Sequence, residues 1–116
     1  MKTEETVLEI NLTALEKNVL YLKSRLKPTT LFLGVVKASS YGNNSVPIAL
    51  HLQKKGLANY FAVAYTSEGK ALREAGITLP ILVLHPQPIN FDDIVKYKLE
   101  PTLYSQRITK LFLEYA

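Results

Sequence analysis

The sequence predicts an α/β fold with a parallel sheet, and three observations carry that prediction. Strand-like and helix-like segments alternate along the whole 116 residues. Continuous apolar runs such as Leu31 to Val36 are of the kind found in strands covered on both faces. Strands starting near positions 7, 31, 60, 81 and 101, each followed by a helical pattern, spell a βα array.

Val7 to Leu12 reads as a short N-terminal strand, and Thr13-Ala14-Leu15-Glu16 as a capping box that opens a helix. In that helix Leu15, Val19, Leu22 and Leu26 recur at helical spacing, until Lys27-Pro28 stops it. The apolar run Leu31 to Val36 is the next strand. The polar stretch Ser39 to Asn44, which carries Gly42, is a loop, and Ser45 caps a helix with Pro47 in its first turn and Gly56 at its end. Tyr60 to Ala64 is a strand; Thr66 or Ser67 caps a helix that runs through Ala75 and stops at Gly76. Pro80 leads into the strand Ile81 to Leu84, and His85-Pro86-Gln87-Pro88 is a rigid loop. Asn90, Asp92 and Asp93 mark another helix start, Pro101 to Tyr104 is a short strand, and Ser105 caps a last helix. There Ile108, Leu111, Phe112 and Tyr115 share one apolar face.

The formal charge of +4 does not form a stripe. Lys23, Arg25 and Lys27 end one helix, Lys54 and Lys55 another, and Lys96 and Lys98 a third, where cations complement the helix dipole. The charge therefore reads as helix-end design, and no nucleic-acid partner is expected. With no cysteine, disulfide frameworks and thiolate metal sites are excluded, and with only His51 and His85 a histidine-built metal centre has no support. No apolar run approaches the roughly 20 residues of a membrane span. Met1-Lys2-Thr3-Glu4-Glu5 is too acidic to open a signal peptide, so a cytoplasmic, membrane-free protein is expected.

Chemistry concentrates in Val36-Lys37-Ala38-Ser39-Ser40-Tyr41-Gly42. A lysine that closes an apolar strand stands where ligand crevices open in βα sheets. A partly desolvated amine there loses its proton near neutral pH and condenses with a carbonyl. On the local pattern alone, a lysine that merely solvates the strand end is the better account of the residue, since lone lysines usually do no more than this.

The stretch Gly34-Val35-Val36-Lys37-Ala38-Ser39-Ser40-Tyr41-Gly42 resembles the signature of the alanine racemases, fold-type III pyridoxal phosphate enzymes. Further blocks keep step with that family: Glu9 to Asn18, Phe61-Ala62-Val63-Ala64 with Glu68-Gly69, Leu72-Arg73-Glu74-Ala75-Gly76-Ile77, and Pro80 to Leu84. Together they cover the chain from about Val7 onward. Asn43-Asn44 depart from the usual His-Gly and Ser39-Ser40 from the commoner Asp-Ala or Asn-Ala, differences that touch loop geometry and spare the amine and the tyrosine. The Ser-Tyr-Gly variant is more similar to the racemase half of proteins that fuse a muramyl-tripeptide D-alanyl-D-alanine ligase to an alanine racemase.

The resemblance implies about half of a TIM-type (β/α)8 barrel, with four of the barrel strands and the strand bearing Lys37 as the first. A complete barrel takes roughly 250 residues. Residues 1–116 are therefore expected to be the N-terminal part of the coenzyme-binding domain, the rest of the barrel and a C-terminal β domain lying outside. It further implies pyridoxal 5'-phosphate as cofactor, alanine as substrate, a homodimeric full-length form, and production of D-alanine for peptidoglycan. By the same resemblance Lys37 is the catalytic lysine that also holds the coenzyme, Tyr41 bonds the coenzyme phosphate, and Leu84 packs on the coenzyme. The proton donor of the opposite face and the main phosphate ligands belong to later parts of such proteins, so the 116 residues alone are expected to racemise nothing. Two other readings use the same barrel. A coenzyme carrier protein usually lacks the Tyr41-Gly42 pair and the strand at Val7, and the basic amino-acid decarboxylases commonly follow the lysine with Ala-Asn rather than Ala38-Ser39.

Overall fold

The computed structural model describes residues 11–36 and 45–116. Five helices, α1 (Leu12–Ser24), α2 (Ser45–Lys54), α3 (Thr66–Glu74), α4 (Phe91–Lys96) and α5 (Gln106–Tyr115), alternate with four strands. The strands are β1 (Leu33–Val35), β2 (Tyr60–Val63), β3 (Ile81–Val83) and β4 (Glu100–Pro101). They form one sheet in the order β1-β2-β3-β4, every neighbour parallel. The expected α/β class, the parallel sheet and the four barrel strands are all present.

The registers sort the strand residues onto two faces. Gly34 pairs with Phe61 and Phe61 with Ile81, while Val63 pairs with Val83 and Val83 with Pro101. These rows face the helices: Phe61, Val63, Ile81 and Val83 are fully buried and join Ala49, Leu52, Leu72, Ile77 and Ile94 in the core. The alternate row, Val35, Ala62, Leu82 and Glu100, lies on the opposite face because strand side chains alternate.

That opposite face corrects one expectation. β1 is not covered on both sides: Leu33 is 42% and Val35 55% exposed. Helices cover one face of the sheet, and no second layer of described residues covers the other.

The termini of the helices show where local sequence was read one step off. α1 begins at Leu12, and the cap is Asn11, whose Oδ1 accepts from the Ala14 amide at 2.9 Å, rather than Thr13. The expected strand Val7 to Leu12 thus loses its last residues to the helix, and residues 7–10 lie outside those described. Only the first half of the α1 stripe is covered: Val19 is buried, whereas Leu22 and Leu26 are 53% and 43% exposed. α2 includes Ser45 as a helical residue, and the chain leaves that helix through Gly56 at φ +66°, a conformation that costs glycine little. Ser105 caps α5 as expected, its Oγ accepting from the Ile108 amide. Along α5, Ile108 is buried and Phe112 meets Phe91 edge-on at 5.0 Å between centroids. The Tyr115 hydroxyl donates to Asp92, which pushes the phenol pKa up and ties α5 to α4.

Two polar side chains hold the α3–β3 connection. Gln53 of α2 accepts from the Thr78 and Leu79 amides and donates to Gly76 O. Arg73 of α3 donates to four carbonyls, those of Ile77, Leu79, Tyr97 and Lys98, at 2.7–3.2 Å. The last two belong to the α4–β4 turn, where Lys98 adopts a positive φ of 54°. Desolvation lowers the Arg73 pKa from its ordinary value. Lys23 ends α1 by donating to Leu57 O at 3.1 Å, and His51 Nε2 meets Glu16 Oε2 at 3.1 Å across α1 and α2.

Among the described residues β1 has a neighbour on one side only, as does β4. Open parallel edges of this kind invite pairing. Beside β4 an apolar groove of about 620 Å³ runs along α5, lined in part by Leu103, Tyr104, Thr109 and Leu113. The 116-residue chain is therefore expected to self-associate in sedimentation velocity as its concentration rises. A single monomeric species at the highest soluble concentration would contradict this.

Candidate functional site

In a sheet of parallel strands covered by helices, ligands gather outside the carboxyl ends of the strands. Here those ends are Val36, Ala64, Leu84 and Thr102. Val36 donates its amide to Ala62 O, Leu84 to Val63 O and Thr102 to Val83 O, so pairing continues just beyond the formal strand limits. Continuing the registers of β2 with β3 and β3 with β4 puts Ala64, Leu84 and Thr102 in one row on the face away from the core. Val36 belongs to the other row, with Val63 and Val83, and is buried at 7% exposure. Lys37 is the next residue in the sequence.

Of the three residues singled out from the sequence, Leu84 lies on this rim, half-buried. Lys37 and Tyr41 lie outside the described residues, as does Gly42. His85, in the loop after β3, is exposed, and its ring sits 5.9 Å from that of Tyr65.

The turn from β2 into α3 forms part of the same rim and is organised by a residue to which sequence reading gave no role. Glu68 Oε1 accepts from the amides of Ala64 at 2.9 Å and Tyr65 at 2.8 Å. A carboxylate in the first helical turn thereby satisfies amides ahead of the helix and complements its dipole. α3 accordingly starts at Thr66 with Tyr65 as the preceding cap residue, rather than being capped by Thr66 or Ser67. The spacing of Glu68 three residues after Tyr65 was the available signal.

Two hydroxyls near the strand ends, Thr66 Oγ1 and Thr102 Oγ1, are buried and have no hydrogen-bond partner. Thr66 is enclosed, 2% exposed, at the start of α3. Thr102 retains some exposed surface and neighbours Leu84 in the rim row. Among the described residues no group of acidic, histidine or cysteine side chains could hold a metal ion. No described helix is long and apolar enough to cross a membrane.

A family model for the N-terminal domain of alanine racemase matches residues 10–116. The chain belongs to the alanine racemase N-terminal domain family. It is 42% identical over 101 residues to an alanine racemase of Desulfovibrio desulfuricans, a match over 84% of this chain and 26% of that protein. With an alanine racemase of Synechocystis it shares 40% identity over 106 residues, 90% of this chain and 28% of that one. The fold agrees. An alanine racemase of Clostridium difficile 630, solved in complex with cycloserine, superposes with a TM-score of 0.83 at 40% identity, over 90% of this chain and 28% of that one. The alanine racemase of E. faecalis gives 0.82 at 34% identity, over 91% and 29%. The four-stranded parallel sheet and its helices thus match the N-terminal part of the alanine racemase barrel. This chain spans little more than a quarter of the length of these relatives.

Proposed function

We propose that this chain is the part of a pyridoxal phosphate-dependent alanine racemase that supplies the coenzyme-binding lysine, in a protein that interconverts L- and D-alanine. Family membership supports the reading, and within the molecule one observation carries it. A parallel sheet presents an apolar, half-buried rim at Leu84, and the strand at its edge ends two residues before the only lysine in the resembled signature.

The residues present suit the coenzyme. Leu84 offers an apolar contact to a flat ring, and the unpaired Thr102 hydroxyl supplies a polar group in the same row. Lys37 would hold the coenzyme covalently through Nζ, and Tyr41 would bond its phosphate through the phenol oxygen. When bound, pyridoxal phosphate supplies an electron sink for the charge left at the amino-acid α-carbon. Lys37 Nζ takes or returns the α-proton on one face of the substrate, exchanging roles with direction of turnover. The opposite face needs a second proton carrier, provided elsewhere in the longer protein. D-alanine for peptidoglycan, a cytoplasmic location and a homodimeric full-length enzyme complete the proposal, with the 116 residues alone inactive.

Incubation with pyridoxal phosphate, borohydride reduction and peptide mapping test it. The label is expected to concentrate on Lys37 and to disappear from that peptide in Lys37→Arg. An even spread over the surface lysines would remove any special status from Lys37.

A further inference from the structure

We propose that Thr102 is a coenzyme-binding residue, its hydroxyl bonding an oxygen at the edge of the pyridine ring whose face rests on Leu84; this rests on the proposed coenzyme-binding function. The observation behind it is an unpaired polar atom in a telling place. Thr102 Oγ1 is buried and has no hydrogen-bond partner, although almost every buried hydroxyl in a folded protein finds one. Leaving such a group unpaired costs about 1–3 kcal/mol, so its position calls for an explanation.

Position supplies it. Thr102 follows β4 directly, and its amide donates to Val83 O at 3.0 Å, which sets it opposite Leu84 in the extended register. Adjacent strands stand roughly 4.8 Å apart, about the width of an aromatic ring. A ring laid on Leu84 therefore brings its edge substituents to the neighbouring strand end, where Thr102 is the residue. Thr102 is only part-buried as a whole, and rotation about its first side-chain bond moves the hydroxyl among three staggered positions without shifting the backbone. By contrast Thr66, the other unpaired hydroxyl, is sealed within the protein and adjoins Glu68, whose carboxylate already serves the turn.

The test compares wild type, Thr102→Val and Thr102→Ser, each in the longer protein that carries the remaining coenzyme ligands. Valine keeps the shape and removes the hydroxyl; serine keeps the hydroxyl. Affinity for pyridoxal phosphate is measured by equilibrium dialysis, with the borohydride label on Lys37 as a second reading and coenzyme-free thermal melting as a third. Thr102→Val is expected to bind roughly tenfold more weakly, the worth of one hydrogen bond. Its melting temperature without coenzyme should be equal or higher, since an unpaired group is removed. Thr102→Ser should restore affinity to within about threefold of wild type. Equal binding by wild type and Thr102→Val, with label still on Lys37, would overturn the role of Thr102 alone. A wild-type longer protein that neither binds the coenzyme nor takes label at Lys37 would overturn the coenzyme-binding function and the role of Thr102 with it. A lower coenzyme-free melting temperature for Thr102→Val, with binding lost only in proportion to unfolding, would show a purely structural residue.

Discussion

Replacing Phe61 with alanine is expected to cost about 4 kcal/mol of folding free energy, the upper range for large-to-small changes in a core. Phe61 is fully buried at the middle of β2, the strand with a neighbour on each side. A Cβ on its partner Gly34 would stand 3.4 Å from the Phe61 ring and 3.8 Å from Leu52, ordinary contact distances, so the ring packs directly over the β1 backbone. Truncation removes the transfer energy of the ring and leaves a cavity that Leu52 and the α2 helix cannot close without moving. Phe61→Leu should recover more than half of the loss. Urea titrations at fixed protein concentration measure both, and a loss below about 1 kcal/mol for Phe61→Ala would show that the helix-facing side of the sheet is loosely packed.

Arg73→Met is expected to cost about 3 kcal/mol, an effect unusual for a side chain that is not fully buried. Methionine preserves the apolar stem, so the loss isolates the guanidinium. That group bonds Ile77 O and Leu79 O ahead of β3 and Tyr97 O and Lys98 O ahead of β4. One planar fork therefore sets the entry of two adjacent strands. Bonds to a charged donor contribute more than neutral ones, and the part-buried carbonyls stripped of it have water as their remaining partner. Lysine, a single point donor, should recover about a third. A change within 0.5 kcal/mol of wild type in the same titration would mean that the two turns hold themselves.

Most of the fold was legible because two periods are written plainly in the chain. Runs such as Phe61-Ala62-Val63 and Ile81-Leu82-Val83 can be nothing but strands next to the spaced apolar residues of α3 and α5. Helix starts were harder, since neighbouring residues compete for one role. Asn11 and Thr13 both suit a cap, and the amide geometry chose Asn11. At α3 the competition was settled by Glu68 reaching back to Ala64 and Tyr65. The exposure of Leu33 and Val35 was hidden because an apolar run records what a strand can be buried against, not which described residues cover it. For the candidate site, the place of Leu84 at a strand end was legible, its contact with the coenzyme being part of the proposal. The role proposed for Thr102 was not, because an unpaired hydroxyl has no signature in one dimension.

The order β1-β2-β3-β4 follows the order of synthesis, with no strand inserted between two earlier ones. Each new strand and helix can therefore add to a platform already built while the ribosome is still translating, and no early segment must wait for a distant one to find its inner neighbours. Growth of this vectorial kind leaves the first and last of the described strands, β1 and β4, each with a partner on one side only.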